Sequence, residues 1–98
     1  MIGHILLALL IQAAVAIPSR SWGAGAAAAF AWSVSREIAQ AEYRWIEQYG
    51  GHLRANMPVL GGFDPRVWQN VDPWLDWIVP TLVTVAVAVL AARIQRSR

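Results

Sequence analysis

Cysteine is absent, which excludes disulfides and thiolate metal sites and leaves the redox compartment unreadable from the sequence. Charge is scarce as well. Of 98 residues 14% are charged, against roughly 25% in an average soluble protein, while 57% are hydrophobic. No Lys, Arg, Asp or Glu occurs from Met1 to Ser19, from Ser21 to Ser35, or from Trp77 to Ala92. Apolar runs of this kind point to lipid as the solvent. The net charge of +2 is too small to argue for a nucleic-acid partner. The arginines at the C-terminal end read instead as a topology signal.

Catalytic and cofactor signatures are missing too. No serine sits in a nucleophile elbow and no glycine-rich phosphate loop is present, so neither catalytic nor cofactor-binding residues are expected. His4 and His52 lie far apart and lack a second nitrogen ligand at helical spacing, so no metal site is expected either. Glu37, Glu42, Glu47, Asp64, Asp72 and Asp76 are the only carboxylates. They read as solvated or capping groups, because a loop of about 40 residues offers no walls for a pocket. The chain is therefore expected not to be a self-sufficient enzyme.

What is present is helical and apolar. The C-terminal run from Trp77 to Ala92 would span roughly 24 Å as a helix. Adding Trp74 and Leu75 brings it to roughly 28 Å, near the ~30 Å hydrocarbon core of a bilayer. Asp72 and Pro73 make a good helix start, giving a transmembrane helix over 73–92 and a basic tail over 93–98. Trp68, Trp74 and Trp77 at one end, and Arg93 and Arg96 at the other, are candidate membrane-interface anchors. The N-terminal third holds one apolar run over 1–17 and an Ala/Gly-rich run over 22–35, separated by Pro18-Ser19-Arg20-Ser21. Three readings of it remain open: a transmembrane hairpin, one long helix through Pro18, or a cleaved signal ending at Ala14-Val15-Ala16. In the Ala/Gly-rich run, Gly23 and Ala27, and Gly25 and Ala29, are small residues four apart that suit close helix packing or self-association.

From Arg36 to Tyr49, Ile38, Ala41, Trp45, Ile46 and Tyr49 recur at helical spacing opposite Glu37, Gln40, Arg44 and Glu47. This predicts an amphipathic interfacial helix over 36–49, ended by Gly50-Gly51, with Ile38, Trp45, Ile46 and Tyr49 as its interfacial or partner-binding face. A turn-rich, membrane-hugging loop over 50–72 follows, in which Asp64 is placed to cap a short turn carrying Val67 and Trp68. The expectation is an all-α integral membrane protein with two or three transmembrane helices plus this helix in an external loop. Arg93, Arg96 and Arg98 place the C-terminus in the cytoplasm by the positive-inside rule. The stretch from Arg36 to Asp76, with four arginines against six acids, then lies outside.

The segments REIAQAEYRW, LRANMP and GGFDPRVW resemble small bacteriophage- and prophage-encoded membrane proteins of the lysis-gene type, over roughly Arg36 to Trp77. The three-span, N-out and C-in arrangement is similar to that of one class of holins, although the tail from Arg93 is shorter than in many of them. The resemblance implies a protein that assembles with copies of itself in the bacterial inner membrane and permeabilises it for host lysis. Its partners would be the lipid bilayer, further copies of the chain, and another phage or host membrane protein. An accessory or regulatory phage membrane protein, acting in superinfection exclusion or binding a partner through the external loop, is the alternative. A membrane protein of the virion with no lytic role is a third.

Overall fold

The computed structural model describes residues 2–96, which form three long helices and three single 3-10 turns. Helix α1 covers Ile2–Ser19, α2 covers Trp22–Tyr49 and α3 covers Val71–Arg96. The 3-10 turns Arg54–Asn56, Gly61–Phe63 and Pro65–Trp68 lie between α2 and α3. The three helices pack side by side in an elongated body of 58 × 24 × 19 Å.

The turn between α1 and α2 forms where the sequence expects it, which removes the reading of one long helix. Pro18 sits in the last turn of α1, Arg20 takes a left-handed φ of 58°, and the Ser21 hydroxyl caps α2 by accepting from the Ala24 N–H at 3.0 Å. The predicted boundary at residue 35/36 is absent. Neither glycine nor proline interrupts the chain between Gly25 and Gly50, so the Ala-rich run and the amphipathic run form one 28-residue helix of about 42 Å. The stretch 36–49 is thus a continuation of α2, not a separate interfacial helix. It stops where predicted: Gly50 N–H reaches the Trp45 and Ile46 carbonyls, and Gly51 and His52 take left-handed φ values of 59° and 64°. Helix α3 begins at Val71 with Asp72 in its first turn, and it continues through the expected basic tail to Arg96; Arg98 lies outside the described residues.

The interior is built from rows of residues four apart, which form the i±4 ridges of a helix surface. In α1 the buried row is Ala8, Gln12 and Ala16. In α2 it is Gly25, Ala29, Ser33, Glu37, Ala41 and Trp45. Small residues at the lower end of that row let α1 approach to backbone contact. A Cβ on Gly25 would collide with the main-chain carbonyl of Gln12 and stand 2.9 Å from its Cγ. Helix α3 contributes Pro73, Pro80 and Thr84, and Trp77 meets Phe30 of α2 edge-on with ring centres 6.1 Å apart.

The outer surface is the reverse. Leu6, Leu7, Leu10 and Ile17 of α1, and Leu82, Val85, Val89, Leu90 and Ile94 of α3, are all exposed. Both helices are long and apolar enough to cross a membrane, with a mean hydropathy of 2.0 in their apolar windows, and little of either window is buried. A helix at the core of a soluble protein would hide that surface.

Beyond the level of Glu37, α2 carries a small subdomain formed with the segment 50–70. Ala41, Trp45 and Val67 form its core, with Met57 and Trp68 packed against them. Gly62 crosses α2 so closely that a Cβ there would stand 2.8 Å from the Glu42 side chain and 3.2 Å from the Ile38 carbonyl. The turn-rich segment thus folds back on α2 and covers Trp45 of its apolar face.

Candidate functional site

Two polar groupings lie inside this apolar body. The first is a seam at mid-height. The Gln12 side-chain amide donates to the Thr84 carbonyl at 2.8 Å and to the Trp22 carbonyl at 3.2 Å, tying α1 to both neighbours. Gln12 and Thr84 are wholly buried, and Ser33, about two turns farther along α2 from Gly25, is nearly so. The Gln12 Oε1 and Ser33 Oγ atoms are buried without a hydrogen-bond partner among the described residues. Buried polar groups left unpaired cost about 1–3 kcal/mol each.

The second grouping sits at the end of the bundle nearest the subdomain, where His4 of α1, Glu37 of α2 and Asp76 of α3 meet. His4 Nδ1 lies 3.7 Å from Asp76 Oδ1, too far for a hydrogen bond, and Arg36 donates to Glu37 Oε1 at 2.8 Å. Glu37 is 2% exposed. Burial, with the Asp76 carboxylate beside it, pushes the Glu37 carboxyl above its ordinary value against the opposing pull of Arg36 and His4. A polar cleft of about 300 Å³, lined by Arg36, Glu37, Gln40, Arg44, Asp72 and Asp76 among others, opens beside the cluster. Sequence spacing along one helix does not reveal this trio. The hairpin does: His4 stands 16 residues before Arg20 and Glu37 stands 17 after it, so folding at that turn brings them to one height.

The subdomain is locked by side-chain hydrogen bonds. Trp45 Nε1 donates to Asp64 Oδ2 at 3.1 Å, Arg44 Nε to the Val67 carbonyl at 2.9 Å, and Trp68 Nε1 to the Gly62 carbonyl at 2.7 Å. Asp64 caps the turn Pro65–Trp68, as the sequence indicates, and Arg66 Nη2 lies 2.7 Å from its Oδ2. The Arg66 hydrogen bonds hold the Asp64 carboxyl well below the usual carboxylate range, and the same pairing raises the Arg66 guanidinium. Arg66 also stacks 3.9 Å over the Tyr49 ring.

The sequence-predicted residues divide as follows. Gly25 and Ala29 face α1 and are buried, whereas Gly23 and Ala27 are exposed beside an apolar groove of about 650 Å³ between α2 and α3. Of the expected partner face, Trp45 and Ile46 are buried and Ile38 is half-buried under Gly62, leaving only Tyr49 largely open. Trp45 and Ile46 are thus taken up within the chain itself. Trp68, Trp74 and Trp77 cluster at the Asp76 end, with Trp74 Nε1 donating to the Trp68 carbonyl at 2.8 Å. With Val34, Ile38, Phe63 and Pro65 they line an open apolar cleft of about 390 Å³. Arg93 and Arg96 occupy the opposite end, and near them Trp22 shares a groove with Ile94 and Gln95. No family model, curated protein or solved structure matches this chain.

Proposed function

We propose that the chain is a holin-like protein that crosses a bacterial inner membrane three times, with its N-terminus outside and its C-terminus inside. There it assembles with copies of itself, without catalysis, to permeabilise the membrane for host lysis. The observation that carries this reading is the inversion of polarity: an apolar exterior of Leu, Ile and Val encloses a polar seam of Gln12 and Thr84, with Ser33 buried separately farther along α2, and Gln12 Oε1 and Ser33 Oγ unpaired among the described residues. In lipid such groups have no water to turn to. Several copies that re-pair their helices around a water-filled lumen would hydrate the seam while keeping the apolar faces in lipid.

Two further features support it. The apolar stretch of α2 from Trp22 to Ser35 spans only about 21 Å, shorter than the ~30 Å bilayer core, and such a mismatch thins the bilayer and drives copies together. Gly23 and Ala27 leave the α2 backbone open to a neighbouring helix at an exposed groove. A second reading, an accessory protein that binds a partner outside, is favoured by the apolar tip of the subdomain, where Val59 is 92% exposed and Leu60 and Phe63 are also open.

Expression in a bacterium with and without a cytosolic endolysin, followed by turbidity and membrane potential, tests the proposal. The expected result is abrupt collapse of the potential, with lysis only when the endolysin is present. Continued growth with verified membrane insertion would reject the lytic role and favour the accessory reading.

A further inference from the structure

We propose that His4, Glu37 and Asp76 form a binding site for a divalent transition-metal ion of the zinc class. Each of the three helices supplies one ligand, and the three ligand atoms all lie within 4.8 Å of one another. Zinc holds imidazole nitrogen at about 2.0–2.1 Å and carboxylate oxygen at about 2.0–2.2 Å, which sets tetrahedral ligands roughly 3.3–3.5 Å apart. Side-chain rotations of about 1 Å therefore suffice to close the site around an ion. His4 Nδ1 already lies 3.7 Å from Asp76 Oδ1.

Three observations point to a cation. Among the described residues His4 Nδ1 is buried and has no hydrogen-bond partner, although it faces two carboxylates. Glu37 is almost fully buried, and Arg36 occupies only its Oε1, leaving the other oxygen to serve as a ligand. Arg36 thus acts as the outer partner that orients a ligating carboxylate. The charges agree as well: two carboxylates face one guanidinium, which leaves a net negative charge to attract a cation. The imidazole selects for zinc-like ions over magnesium or calcium, which favour all-oxygen sites. The adjoining polar cleft gives an entry path and room for water as a fourth ligand. Bound there, the ion would fasten α1, α2 and α3 together at one end of the bundle.

The test uses the full chain, purified in detergent micelles and stripped with a chelator. Titration with Co²⁺ is expected to give visible d–d absorption bands that saturate at one ion per chain and are displaced by Zn²⁺. His4→Ala, Glu37→Gln and Asp76→Asn should each weaken Zn²⁺ binding by at least the about 10–100-fold that loss of an outer partner causes, with helix content unchanged by circular dichroism. His52→Ala should leave binding intact, since His52 is exposed and outside the cluster. Absence of saturable Co²⁺ bands in the unmodified chain would overturn the proposal. So would binding that survives all three substitutions and disappears with His52→Ala.

Discussion

Gly25→Leu is expected to split α1 from α2. A single Cβ at that position already collides with the Gln12 main-chain carbonyl, and a backbone atom cannot rotate away as a side chain can. Overpacking in a closed interior costs about 1–3 kcal/mol, and a clash with main chain belongs at the upper end of that range or above. The displacement would also strain the Gln12 hydrogen bonds to Trp22 and Thr84. The unfolding midpoint in mixed micelles, followed by circular dichroism, should fall clearly for Gly25→Leu and less for Gly25→Ala. Gly23→Leu is the control, because only Ser21 Oγ, at 3.8 Å, lies near a Cβ there. It should leave the single bundle as stable as the unmodified chain and act only on contacts between copies. Equal midpoints for Gly25→Leu and Gly23→Leu would refute the packing described.

Trp45→Ala is expected to open the subdomain formed with segment 50–70 while leaving the three-helix bundle intact. The ring packs with Ala41 and Val67, lies against Gly50 and tilts against Tyr49 with centres 6.1 Å apart. Its N–H also holds Asp64, and Asp64 caps the turn that carries Val67. Removal of a buried tryptophan costs about 3–5 kcal/mol, which is large for so small a core. Trypsin should then cut after Arg54 and Arg66 much faster than in the unmodified chain. Trp45→Phe, which keeps most of the packing and loses only the hydrogen bond, should fall between the two. If Trp45→Ala leaves the cleavage rate unchanged, the segment 50–70 does not depend on that core.

The sequence reveals α1 and α3 because each is a long apolar run with a recognisable end: the Pro-Ser-Arg-Ser turn for one, Asp72-Pro73 and the terminal arginines for the other. It misleads at α2 because a change of composition looks like a boundary. The helix passes from small apolar residues to an amphipathic stripe without a breaker, and backbone hydrogen bonding is indifferent to that change. The helical spacing of Trp45 and Ile46 suggests an interface for a related reason. The apolar residues of the segment 50–72 are scattered among glycines and prolines, yet Met57, Val67 and Trp68 suffice to close over one helix when Gly62 lets the chain come near. The Gly61-Gly62 pair is the residue-level sign of that approach. His4, Glu37 and Asp76 stand apart in the sequence because each lies on a different helix, and only the height that each occupies in the folded chain connects them.

The most direct test of the membrane arrangement is single-cysteine labelling in intact cells, which the cysteine-free chain permits without further changes. Val59→Cys, Ser19→Cys and Gln95→Cys all place the thiol at exposed positions. Before any loss of membrane potential, a membrane-impermeant maleimide should label Val59→Cys at once, and should reach Ser19→Cys and Gln95→Cys only after the cells are permeabilised. Labelling of Ser19→Cys or Gln95→Cys in intact cells, or protection of Val59→Cys, would contradict the three-span, N-out and C-in arrangement on which the proposed function rests.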